Sequence, residues 1–185
     1  MIINTSGSYT VQEGDIIRNG KKDYYQIIKI DGEKVWIKYL DDYQYEDCIY
    51  FYNIKNKMIH NPYNKNIYGV ACIGIVPAGY SITKEYLLWN DIIIKCYNTK
   101  SVQYQNYGAK GIKVANDWLC FEKFLYDLPS IYGYNNWIND TNNYYLNKDI
   151  YYGKICKLYS NRTCIFTNKN VIGKQMCYII KEQAN

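Results

Sequence analysis

Between Asn61 and Gly79 the chain carries Pro62, Gly69, Gly74, Pro77 and Gly79, a stretch that holds two of its three prolines. Proline removes a backbone donor and fixes φ, and glycine weakens helix and strand alike, so this density of breakers reads as a connecting loop rather than a helix or a central strand. It divides the chain into residues 1–62, a Gly/Pro-rich linker over 63–80, and residues 81–185. A chain of 185 residues is long enough for one domain or two small ones. The breaker stretch favours two.

The front half is β-prone. Tyr24 to Ile30 and Lys34 to Leu40 are short runs separated by Asp31-Gly32-Glu33, a connection that predicts a hairpin. A third run, Gln44 to Tyr52, extends it into a meander. Ile27-Ile28 and Val35-Trp36-Ile37 are continuous apolar pieces, which predicts strands buried on both faces of a compact barrel. The expectation is an SH3-like β module over roughly residues 8 to 60.

Beyond the linker the pattern changes to helical. Thr83 is placed to cap a helix over Ile82 to Tyr97, Glu85 falls in its first turn, and Leu88, Trp89, Ile92, Ile93 and Cys96 repeat at i, i+3, i+4 spacing. Gly111 to Val114 reads as a short strand. Asn116 is placed to cap a second helix that carries Trp118, Phe121, Phe124 and Leu128 and ends at Pro129; its aromatic stripe belongs to a core. Ser130 to Tyr145 is polar and Asn-rich, and reads as a long surface loop with a turn of strand at its end.

Charge is unevenly placed. Residues 1 to 80 hold nine Lys/Arg and nine Asp/Glu, whereas 81 to 185 hold thirteen against eight, so the whole net charge of +5 lies in the second half. Such an asymmetry favours a polyanionic partner there, with a solvated basic face as the plainer reading. Over 146 to 177, Lys148, Lys154, Lys157, Arg162, Lys169 and Lys174 face a single acid, Asp149. With 48% hydrophobic and 21% charged residues the chain belongs with folded rather than disordered proteins. Its 24 tyrosines tempt one to read base-stacking platforms. Tyr, Asn, Ile and Lys all have A/T-rich codons, and that bias explains them more simply.

The seven cysteines (Cys48, Cys72, Cys96, Cys120, Cys156, Cys164, Cys177) include no CxxC pair. Their odd number and wide spacing predict reduced thiols in a cytoplasmic protein. Zinc held by Cys156, Cys164 and Cys177 would need paired ligand spacing that is missing, so buried structural cysteines are favoured and no metal or other cofactor is expected. Met1 to Tyr9 lacks the basic start and apolar run of a signal peptide, and no segment approaches the roughly 18 apolar residues of a membrane span.

In order and spacing, Trp89 to Asn98, Tyr107-Gly108-Ala109-Lys110-Gly111-Ile112-Lys113-Val114, Asp117-Trp118, Phe121, Phe124, Leu146-Asn147-Lys148-Asp149-Ile150 and Tyr159 to Phe166 carry a resemblance. They are similar to a family of phage-encoded proteins of low-GC Gram-positive bacteria, which resemble HNH homing endonucleases joined to AP2-type DNA-binding modules. Asn53-Ile54-Lys55, Asn61-Pro62-Tyr63 and Gly69 to Gly74 match the family's front end, so the likeness spans most of residues 14 to 170. It implies an α+β protein: an N-terminal SH3-like module, then an AP2/HNH-like module with two helices and a β-rich tail. Two departures stand out. Asn147 replaces the family's Asp, which removes a carboxylate able to help hold a cation, and Lys95 replaces an Arg.

The HNH branch cuts DNA with a histidine that activates water and with ligands for a divalent cation. This chain has one histidine, His60, in the front half and nearly 90 residues before Asp149. A surface-loop role beside Asn61-Pro62 is the stronger reading, and no catalytic residue is assigned. What remains is double-stranded DNA binding, with Lys110, Lys113, Lys148, Lys154, Lys157 and Arg162 as the contacts. Arg162 is suited to guanine or to paired phosphates by its planar fork. Tyr152 and Tyr159 suit stacking or a phosphate hydrogen bond, with core packing an equal reading for Tyr159. A DNA-binding scaffold without the nuclease histidine points by analogy to a counter-defence role, an anti-CRISPR protein acting on Cas9. A divergent nuclease using Asp149, Asn147 and His60, and a phage transcription or replication regulator, are the alternatives.

Overall fold

The computed structural model describes residues 2–3, 10–19, 23–149 and 155–170. The chain is mixed α and β and divides into two compact units, Met1–Asn64 and Lys65–Asn185. Among the described residues no helix is long and apolar enough to cross a membrane.

The first unit is a sheet in the order β1 (Ile2–Ile3), β2 (Ile16–Asn19), β3 (Asp23–Asp31), β4 (Lys34–Tyr39), β5 (Glu46–Tyr50), followed by α1 (Phe51–Lys55). Strands β2 to β5 form a four-stranded antiparallel meander, and β1 pairs with β2 in parallel. The expected hairpin turns at Gly32, whose φ of +59° is one that L side chains rarely adopt. Burial on both faces does not occur. In β4, Val35, Ile37 and Tyr39 are buried, while Trp36 points to the other face and lies under the Lys29 ammonium, 5.1 Å from the ring centroid. A register shift between Ile27 and Lys29 turns Ile28 outward, so it is exposed. Phe51 and Tyr52, read as strand, instead begin α1, where Ile54 packs on the sheet core.

Asn61 closes this unit. Its amide donates to Asp23 Oδ1 at 3.1 Å and Asp41 Oδ2 at 2.7 Å, and its Oδ1 accepts from the Tyr63 N–H at 2.9 Å. The Asn61-Pro62 motif is therefore a buried polar pin, and neighbouring His60 is exposed.

The second unit holds α2 (Lys84–Tyr97), β6 (Lys113–Val114), α3 (Phe121–Asp127), α4 (Tyr134–Asn139), β7 (Tyr144–Asn147), β8 (Leu158–Tyr159) and β9 (Ile165–Asn168). Thr83 caps α2 by accepting from the Tyr86 N–H at 3.2 Å, and Trp89, Ile92, Ile93 and Cys96 are its buried stripe. That stripe packs on α3, with Trp89 and Phe121 ring centroids 5.4 Å apart, and the Trp89 indole N–H donates to the Trp118 carbonyl at 2.8 Å. Strands β6 and β8 pair in parallel, and β7 and β9 antiparallel.

Three expectations need correction here. Asn116 does not cap α3: residues 116 to 119 form a 3-10 turn, Cys120 is extended, and the helix starts at Phe121. The cause lies in the breaker-rich stretch. The Phe121 and Glu122 N–H groups, two orphan donors of a helix start, donate to the carbonyls of Cys72 and Ile73, both at 3.0 Å. Second, the stretch read as a linker over 63–80 is mostly part of this unit, since Ala71 and Cys72 are buried. Glycines and prolines prevent regular structure there without preventing burial. Third, Ser130 to Tyr145 is not one surface loop, because it contains α4, whose Trp137 is buried and stacks on Phe166 with centroids 4.8 Å apart. Among the described residues the module thus has three α-helices rather than two.

Candidate nucleic-acid interface

Strands β6 and β8 set the geometry. Val114 pairs with Tyr159 and Lys113 with Leu158, and the Lys113 N–H donates to the Lys157 carbonyl at 2.8 Å. Alternation along a strand sends neighbours to opposite faces. Val114 and Tyr159 are buried accordingly, while Lys113 and Leu158 face out, and Lys157 is exposed just before β8.

Arg162 follows on a turn whose backbone is tied by side-chain oxygens. The Ser160 N–H donates to Thr163 Oγ1 at 3.0 Å, the Thr163 hydroxyl donates to the Leu158 carbonyl at 2.8 Å, and the Arg162 N–H donates to Ser160 Oγ at 3.3 Å. Such local bonds hold a turn rigid. Arg162 is exposed at its tip. Among the described residues, the side chains of Lys113, Lys157 and Arg162 have no acidic partner. Lys110 is also exposed, in a 3-10 turn that leads into β6, and its ammonium donates to Asn106 Oδ1 at 3.2 Å.

Lys148 departs from the expectation. It is not a surface cation: its side chain is 6% exposed, paired with Asp149, and its ammonium lies 5.9 Å from the centroid of the Tyr159 ring. Asn147 organises this segment, since its Oδ1 accepts from the Asp149 N–H at 2.7 Å. Lys154 and Tyr152 lie outside the described residues, as do Lys174 and Cys177. Cys156 and Cys164 are buried, and burial pushes the Cys164 thiol up to about 12. Among the described residues no group of three or more His, Cys, Asp or Glu side chains is gathered so as to hold a metal ion.

Lys148 instead lines a cleft of about 390 Å³. One wall is the α2 face of Leu88, Asp91, Ile92 and Lys95, and the opposite wall runs from Trp137 through β7, with Tyr107, Tyr159 and Lys169 completing it. Lys95 is paired with Asp91, and its ammonium is 5.5 Å from the centroid of the Tyr107 ring. Burial holds the Tyr159 phenol well above its ordinary value, with Tyr107 the next contributor. The cleft's use of Asp91, Lys95 and Tyr107 was not read from sequence. The available signal was the Asp91–Lys95 spacing of four on a helix face already known to carry the core stripe beside it.

Against this geometry, comparison of the chain with protein-family models, with curated proteins and with solved structures finds no match. Fold and surface together define an α+β protein that exposes Lys113, Lys157 and Arg162 on and beside one short parallel strand pair, with no acidic partner for any of them among the described residues.

Proposed function

We propose that this chain is a phage-derived, non-catalytic double-stranded DNA-binding protein that acts as a counter-defence inhibitor of a host DNA-targeting nuclease, an anti-CRISPR protein acting on Cas9. The observation that carries the DNA-binding part is the strip itself. Lys113 stands exposed on β6 and Lys157 exposed just before β8, Arg162 is held on the next turn, and no acid neutralises them among the described residues. Lysines placed this way suit phosphate oxygens, and an arginine on a stiff turn suits a base edge or two adjacent phosphates.

The resemblance to AP2/HNH proteins supports an SH3-like reading of the first unit and an AP2/HNH-like reading of the second. The non-catalytic part of the proposal draws on the one histidine, His60, being exposed in the first unit. It also draws on the Asp149 carboxylate being paired with the Lys148 ammonium.

Fluorescence anisotropy on a labelled duplex over a salt series tests the surface. Each of Lys113→Ala, Lys157→Ala and Arg162→Ala is expected to weaken binding and to reduce the slope of log K against log[salt] by about 0.9. Unchanged affinity in all three variants would remove the strip from the account. Cleavage by guide-loaded Cas9 after preincubation with the protein tests the use: cleavage is expected to stop, and cleavage at full rate would leave a DNA-binding protein without the counter-defence role.

A further inference from the structure

We propose that the cleft between α2, α4 and β7 binds a nucleotide carrying a single phosphodiester charge, its phosphate held by Lys95, Lys148, Tyr107 and Tyr159 and its base set against Trp137 and Tyr144.

The donors converge. The ammonium groups of Lys95 and Lys148 each lie over a tyrosine ring, Tyr107 and Tyr159 respectively. Both line the one cleft, together with Tyr107 and Tyr159. Each ammonium has three N–H donors, and its carboxylate partner engages only part of that capacity. The phenols of Tyr107 and Tyr159 line the same cleft and make no hydrogen bond among the described residues, although Tyr159 is 7% exposed. Both hydroxyls are open to the cleft, so a ligand acceptor placed there can take a hydrogen bond from each.

Charge limits what fits. Among the described residues, Lys95, Lys148 and Lys169 line the cleft against Asp91 and Asp149, a formal balance of one positive charge. One phosphodiester neutralises it, whereas a doubly charged phosphate monoester would face the two carboxylates with charge to spare. Phosphate fills only a corner of about 390 Å³. Small-molecule sites have volumes of about 300–1,000 Å³ and walls rich in aromatic groups. Trp137 and Tyr144 supply such a wall, with Phe166 stacked behind Trp137.

A phosphodiester nucleotide has two sources, a free cyclic mononucleotide or one unit of a single nucleic-acid strand. Isothermal titration of the full chain with cyclic AMP, thymidylyl-thymidine, AMP and adenosine separates them. Cyclic AMP or thymidylyl-thymidine is expected to bind more tightly than AMP, with adenosine the weakest. Binding of cyclic AMP alone marks a free cyclic nucleotide, and binding of thymidylyl-thymidine marks a strand. Tyr159→Phe, which keeps the ring, is expected to weaken that binding about tenfold or more. Lys95→Gln is a second variant in case the first disturbs folding, which circular dichroism reads. Adenosine binding as tightly as cyclic AMP, affinity unchanged in both folded variants, or no heat with any of the four would overturn the proposal. The duplex surface is read separately on the strip variants, so either reading can fail without the other.

Discussion

Lys148 stands in the most positive stretch of the chain, yet it is buried and paired, while Lys113, Lys157 and Arg162 are exposed. A count of charges carries no information about depth, and the alternation that sends Tyr159 inward cannot be read from a two-residue strand. Burial has its own consequence at the residue scale. The thiols of Cys96 and Cys164 are pushed up to about 11 and about 12, and the phenols of Tyr39 and Tyr159 are raised as well, desolvation being the first cause in all four. For each group the folded pKa exceeds the unfolded one. The folded state therefore keeps protons that the unfolded state loses, and the stabilisation is complete below the unfolded pKa and falls as pH rises through the folded one. Urea midpoints measured under reducing conditions are expected to fall steadily between about pH 8 and about pH 11. A flat profile would mean that these groups are hydrated.

At the scale of elements, α2 was legible because cap, first-turn acid and apolar spacing agree, and the structure starts it at Lys84 with Thr83 as N-cap. The β3–β4 hairpin was legible for the same reason of local agreement. Helix α4 was not, because Tyr134-Asn135-Asn136-Trp137-Ile138-Asn139 has poor intrinsic helix propensity. It forms through distant contacts: Trp137 on Phe166, and the Tyr134 hydroxyl donating to Glu85 Oε1 at 2.9 Å. The start of α3 was hidden likewise, since its first N–H groups are satisfied from Cys72 and Ile73 across the sequence. Gly133, the N-cap of α4, is an exacting position. Its φ is +81°, and a Cβ there would lie 2.3 Å from the Phe166 carbonyl oxygen. Gly133→Ala combines strain with a backbone clash and is expected to lower stability by about 2–4 kcal/mol. Denaturant unfolding checks it, and a loss under about 0.5 kcal/mol would contradict the close approach of α4 to β9.

For the whole molecule, the division at Asn64 and Lys65 lies just past Pro62, although most of the stretch read as a linker belongs to the second unit. The composition of the halves points the same way as the surface. Charges balance in residues 1 to 80, and the net positive charge lies in 81 to 185, where Lys113, Lys157 and Arg162 are exposed. Each exposed lysine there is an ordinary surface feature alone; the β6–β8 pairing and the turn after it place Lys113, Lys157 and Arg162 on neighbouring backbone. Binding of duplex DNA without cutting is the central claim, and supercoiled plasmid tests it most directly. The protein is incubated with plasmid in Mg²⁺ over a salt series, and half of each sample is run native and half deproteinised. A salt-sensitive shift in the native lanes, with intact supercoiled plasmid after deproteinisation, is the predicted result. Nicked or linear plasmid in the deproteinised lanes would show cutting and redirect attention to Asp149 and His60, and the absence of any shift at low salt would contradict DNA binding itself.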